Sequence, residues 1–165
     1  MGKIQKGTHI VQYPQDVSLC VGCGGCEAVC ALIHEGMTGK DCSRIYVKKG
    51  TVNMIHTVYA CQQCEDHPCY NACPRQEKAM CVDLETNIVY INEAECIGCK
   101  MCIKACPFEP KRIYFNKEKK KAIKCDLCRG REGGPACIAD CQTMVIGLST
   151  DPLPIPSPPP ELPKL

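Results

Sequence analysis

Sixteen of the eighteen cysteines in this 165-residue chain fall into four groups of four, and that pattern constrains the fold more tightly than any hydrophobic periodicity. The first group is Cys20, Cys23, Cys26 and Cys30, in CVGCGGCEAVC, with the spacing C-x2-C-x2-C-x3-C. The second is Cys61, Cys64, Cys69 and Cys73, in CQQCEDHPCYNACP. The third is Cys96, Cys99, Cys102 and Cys106, in CIGCKMCIKACP. The fourth is Cys125, Cys128, Cys137 and Cys141, where the middle gap widens to eight residues around Gly133, Gly134 and Pro135.

Two residues between cysteines let a tight loop present three thiolates to three corners of an iron-sulfur cubane. Gly22, Gly24, Gly25 and Gly98 supply the unusual dihedrals such a loop needs. The fourth cysteine comes one helical turn later, points away from the loop and ligates the neighbouring cluster of a pair. Pro74 and Pro107 directly follow the fourth cysteines of quartets two and three, whereas Ala31 and Gln142 stand there in quartets one and four. Quartet two therefore pairs with three and, by elimination, one with four. The expected cofactors are four [4Fe-4S] clusters.

Other uses of cysteine fit the spacing less well. CxxC pairs alone suit zinc, but four quartets with an x3 step do not. Disulfides need an oxidising compartment, and Met1 to Gln15 contains no apolar signal region, cleavage site or twin arginine. No CxxCH marks covalent haem, and with sixteen cysteine ligands none of His9, His34, His56 and His67 is required. Cys42 and Cys81 lie outside the quartets and read as small ordinary side chains, not ligands.

Without its cysteines the chain is only about 34% apolar, with no Trp and eight aromatics, so the expected core is thin. Cluster insertion has to supply what the core lacks, and folding should depend on it. No apolar run approaches bilayer length, which predicts no membrane insertion, and the signal-free start of the chain predicts a cytoplasmic location. Sixteen thiolates and four doubly positive cores would turn the formal charge of +2 into about −6. The twenty Lys and Arg then offset cluster charge, and nucleic acid is not an expected partner. No Walker loop, strand-bound GxGxxG or HExxH is present, so the chain should not be catalytic by itself.

Between the motifs, Arg44 to Lys49 and Thr51 to Tyr59 read as a hairpin, Asn87 to Asn92 as a strand, and Arg112 to Phe115 with Ala122 to Lys124 as a second hairpin. Lys117 to Lys121 reads as a solvated turn at its tip. From Asp151 seven prolines in fifteen residues predict an extended tail, 151–165, that is either disordered or a strap lying along another subunit, the reading its Leu153, Ile155 and Leu162 favour. The fold expected is α+β: two intertwined bacterial-ferredoxin-like dicluster units with short hairpins and helices. They share residues 1–150, the inner unit about 55–115 and the outer about 10–54 with 116–150.

The strings CVGCGGCEAVC, CQQCEDHPC, CIGCKMCIKACPF and KCDLCRGREGGPAC, with HEG after quartet one, resemble in order the motifs of a known family over about residues 10 to 150. It comprises the four-cluster electron-transfer subunits that accompany molybdenum and tungsten oxidoreductases, formate dehydrogenases, hydrogenases and carbon monoxide dehydrogenases. The resemblance implies one cluster on Cys20, Cys23, Cys26 and Cys141, and its companion on Cys125, Cys128, Cys137 and Cys30. It implies a third on Cys61, Cys64, Cys69 and Cys106, and a fourth on Cys96, Cys99, Cys102 and Cys73. CPRQEKA and CQTMV replace the CPTGA-like strings usual after quartets two and four. The implied partners are a large catalytic oxidoreductase subunit and an external ferredoxin or other electron-carrying subunit; self-association stays open. Within the family the chain looks most like the subunits beside tungsten aldehyde oxidoreductases or tungsten aromatic acyl-CoA reductases. The alternatives are a free polyferredoxin or a subunit of one of the other enzymes.

Overall fold

A computed structural model describes residues 7–13, 19–39, 41–51 and 54–151. The tail expected beyond Asp151 lies outside the described residues.

The described chain is α+β, built from short hairpins and short helices. β2 (Tyr46–Lys48) pairs antiparallel with β3 (Thr57–Tyr59), and the Tyr46 and Tyr59 rings stack with centroids 6.4 Å apart. β4 (Met80–Val82) pairs with β5 (Val89–Ile91), and β6 (Ile113–Asn116) with β7 (Lys121–Lys124). These match the expected hairpins; β4, only three residues long, was not expected. Neither was β1 (His9–Gln12), whose partner is β8 (Ile146–Ser149), with His9 opposite Ser149. Ile10, Val11 and Ile146 are buried there, and Gln12 ties this sheet to the first hairpin by accepting from Val58 N (2.8 Å) and donating to His56 O (3.0 Å).

Each quartet feeds a helix: α1 (Gly25–Glu35), α2 (Pro68–Asn71), α3 (Met101–Ala105) and α4 (Ala136–Ala139). α1 is the long one. Glu27 complements its N-terminal dipole and also accepts from Val47 N at 3.0 Å, docking the helix on β2. It stops at Gly36, whose left-handed backbone (φ 69°) lets its N–H close on Leu32 O. α1 packs against α4 and α2 against α3.

The core alternates thiols with aliphatic groups. One cluster joins Ile10, Ile45, Ile88 and Leu127 to Cys30, Cys61, Cys125 and Cys137; the other joins Met80, Val89 and Ile113 to Cys69 and Cys102. The cysteines are thus the centre about which the small apolar residues pack. The Lys117 to Lys121 turn is exposed as expected, and within it Lys119 bonds Glu35 and Glu93 (3.1 Å) while Lys117 lies 3.5 Å from Asp41.

Candidate metal centre

The four CxxC turns share one backbone device. The residue two after the first cysteine is left-handed in each: Gly22 (φ 66°), Gln63 (48°), Gly98 (70°) and Leu127 (57°). This conformation turns the residue's N–H back toward the preceding sulfur, as in Gly22 N to Cys20 Sγ (3.4 Å) and Gln63 N to Cys61 Sγ (3.5 Å). Gln63 and Leu127 hold it at a cost of about 1–3 kcal/mol each. Gly98 has no alternative, because a Cβ there would stand 2.2 Å from Lys120 O. Gly25, expected to bend the first loop, is instead the first residue of α1.

Quartet members from distant positions come together. Cys61, Cys64, Cys69 and Cys106 line one narrow cavity. Cys73, Cys96, Cys99 and Cys102 line another. Burial, then the neighbouring Cys61, Asp66, Cys69 and Cys106, push the Cys64 thiol up to about 12. Burial and then Cys69, Cys96 and Cys99 push Cys102 up to about 12.

In the other half, Cys137 is raised by burial and then by Cys30, Cys128 and Cys26. Cys125, buried throughout, is raised well above its usual range by burial and then by Cys137, with Cys30 and Cys61 adding to it. Arg44 N donates to Cys30 Sγ at 3.3 Å. Cys26 is pushed to about 12 by burial, Glu27, Cys20 and Cys23. Cys141 packs on the same core as Cys26. Burial works to raise its thiol, but the N–H groups of Val145, Ile146 and Thr143 and the Thr143 hydroxyl outweigh it, and the thiol is lowered.

None of the eighteen cysteines forms a disulfide. Cys42 is buried beside Gly39, and Cys81 bonds the carbonyls of Glu77 (3.3 Å) and Lys78 (3.5 Å). Among the described residues no three His, Cys, Asp or Glu side chains converge closely enough to hold a single metal ion. A cubane makes no such demand, since its thiolates sit on separate irons. The first cavity also holds Arg112, whose buried Nε and Nη1 find no acceptor among the described residues. Such donors suit an acceptor-rich inorganic group, and the donor sets fit iron-sulfur clusters.

Three residues escaped the sequence reading. Lys124, 2% exposed, and Arg112, 7% exposed, line the Cys61 cavity. Burial opposes the charge of Lys124, but Cys61, Cys69 and Cys125 outweigh it and its ammonium titrates above the usual lysine range. His34, expected to be uninvolved, sets Nε2 3.6 Å from both Cys128 Sγ and Asp126 Oδ1. The signal for Lys124 was a cation closing an apolar strand directly before a quartet.

The 4Fe-4S dicluster domain family matches residues 52–150. The chain belongs to it. Among the family's relatives of this chain, the electron transport protein HydN of Escherichia coli (strain K12) is 37% identical over 150 residues, covering 78% of this chain and 81% of its own. The polyferredoxin-like subunit of the aliphatic sulfonate oxidoreductase of Pyrococcus furiosus is 42% identical over 124 residues, covering 74% and 66%. A solved chain of the active site complex BamBC of benzoyl coenzyme A reductase covers 86% of this chain and 78% of its own, with 19% identity and a TM-score of 0.49. The chain is thus an iron-sulfur protein of the 4Fe-4S dicluster kind, and its relatives are electron-transport proteins and oxidoreductase subunits. Among the described residues no helix is long and apolar enough to cross a membrane.

Proposed function

We propose that the chain is the non-catalytic electron-transfer subunit of an oxidoreductase complex, connecting a large tungsten- or molybdenum-dependent catalytic subunit to an external one-electron carrier. It would hold four [4Fe-4S] clusters: on Cys20, Cys23, Cys26 and Cys141; on Cys125, Cys128, Cys137 and Cys30; on Cys61, Cys64, Cys69 and Cys106; and on Cys96, Cys99, Cys102 and Cys73.

The observation that carries this reading is how the thiols share the two cores. Cys61 is buried in one core with Cys30, Cys125 and Cys137, against which Cys26 and Cys141 pack, and Cys69 and Cys102 are buried in the other. This supports a serial order of the Cys20 set, the Cys125 set, the Cys61 set and the Cys96 set. Of the eighteen cysteines, only Cys23 and Cys99 are exposed, and they belong to the two ends. Bound clusters supply one-electron 2+/1+ couples.

The chain's own part is to hold thiolates and exclude water. Amides of Gly22, Gln63, Arg44 and Arg112 donate to cysteine sulfur, which stabilises the thiolate form. Leu127, Ile88 and Ile45 keep the inner sites dry. The raised thiols of Cys26, Cys64 and Cys102 must lose their protons as metal binds, so loading releases protons. Exposed apolar side chains flank both end cysteines, Leu19 and Val21 near Cys23, Ile97 and Met101 near Cys99. They suit two separate docking faces.

The test is metal and sulfide analysis of anaerobically purified protein, with the copurifying chains identified. About sixteen iron and sixteen sulfide per chain, together with a large oxidoreductase chain, are expected. Mostly zinc would overturn the cluster assignment, and isolation of the chain alone would overturn the subunit assignment.

A further inference from the structure

Lys124 ends β7 in the middle of the serial order of thiol sets. Its Nζ donates to Gln63 Oε1 (3.2 Å), to Cys125 O (3.3 Å) and to Val89 O. A lysine ammonium has three donors and no acceptor, and three oxygens of carbonyl type surround this one, so the geometry is that of the charged form. A buried cation ordinarily sits beside a carboxylate. Among the described residues Lys124 forms no ion pair with Asp or Glu. Instead Lys124 lines the cavity of Cys61, Cys64, Cys69 and Cys106 and donates to the carbonyl of Cys125, so it touches two different thiol sets.

The outer cavity of the inner pair is built differently. Arg75, lining the Cys96 site, is held by Glu95 Oε2 at 2.6 Å, and Lys100 lies over the Phe115 ring at 4.1 Å from its centroid. These cations are partly exposed and partnered, so water and carboxylate dilute their effect. Lys124 has neither dilution. Burial makes an already anionic site harder to reduce, because the added electron is poorly solvated, and two such sites side by side repel further charge.

We propose that Lys124 is a positioning residue for charge, shared by the Cys61–Cys64–Cys69–Cys106 and Cys125–Cys128–Cys137–Cys30 sites, and that it keeps these two buried sites as reducible as the exposed ends. No bond is made or broken; an electron arriving at either site is met by a fixed positive charge. The inference rests on the four-cluster reading above, and the two fail separately: iron and sulfide content tests that reading, potentials test this one.

The experiment is a redox titration followed by electron paramagnetic resonance on the wild type, Lys124→Met and Lys124→Arg, with iron and sulfide counted for each. Lys124→Met should keep its iron and shift two of the four couples downward by at least tenfold in the reduction equilibrium, about 59 mV for one electron. The other two couples should stay in place, and Lys124→Arg should restore the wild-type pattern. A fully loaded Lys124→Met that titrates like the wild type overturns the proposal, as does an equal shift of all four couples. Should Lys124→Met lose iron, Gln63→Glu puts a carboxylate on Nζ without removing the lysine. Loaded Gln63→Glu should lower the same two couples, and unmoved couples overturn the proposal. Iron loss from both variants overturns it as well, since Lys124 would then be a structural residue.

Discussion

The two halves of the molecule solve the same closure problem at different ranges. Around α2 and α3, quartets two and three lie close in sequence, and the intervening hairpin of β4 and β5 brings Cys61, Cys64 and Cys69 to Cys106. Around α1 and α4, the cysteines to be joined lie far apart, and the fold closes them with a sheet between β1 and β8. Local connection and long-range pairing therefore yield similar helix pairs. Chain entropy differs between them: a longer loop costs more to close, though only logarithmically with its length. The outer half should accordingly be the weaker.

Ile146→Asp is the change that would separate the halves most. It puts a carboxylate into the buried β1–β8 contact, where Ile146 stands opposite Gln12 and shares a core with Ile10. Iron per chain should fall from about sixteen to about eight, with the loss confined to the outer half. Loss of all sixteen would show that the halves fold as one unit.

Gly98→Ala tests the inner half. Its Cβ would meet Lys120 O at 2.2 Å, and the left-handed φ adds about 1 kcal/mol or more. The Cys96 loop should lose its cluster, about a quarter of the iron, while Gly22→Ala in the outer half meets only the His56 ring at 3.1 Å and should lose less. Metal analysis of the two variants side by side measures the difference.

Glu35→Gln addresses the seam between the halves. The Glu35 carboxylate is buried, 3.0 Å from Arg44 and bonded to Lys119, and both cations also reach Glu93. Removing its charge leaves Arg44 buried with Glu93 alone, and the holoprotein should lose about 3 kcal/mol in denaturant titration. Cys81→Ala is expected to do least: its thiol bonds two backbone carbonyls outside both cavities, so iron content should stay unchanged and stability should fall by under about 1 kcal/mol.

Much of this was legible in the spacing of cysteine, because cubane geometry restricts where thiols can stand along a loop. Glycine announced the left-handed turn at Gly22 and Gly98. It was silent at Gln63 and Leu127, where cluster-loop geometry overrides residue preference. The hairpins of β2 with β3 and β6 with β7 showed themselves through β-branched and aromatic runs. The β1–β8 pair did not, since each strand is four residues long and nothing local indicates a partner so distant. Lys124 was hidden by its residue type: a lysine reads as a surface residue until the surrounding carbonyls are seen.

The pairing of β1 with β8 also sets a calendar for assembly. Domains form in the order in which their parts leave the ribosome. Everything that lines the Cys61 and Cys96 cavities has been translated before β8 exists. With the proposed ligand sets, the inner half would be loaded while synthesis continues, whereas Cys20, Cys23 and Cys26 would wait for Cys141 and the strand that follows it. In a cell short of iron, or exposed to oxygen during synthesis, unfinished molecules should accumulate with their first quartet empty.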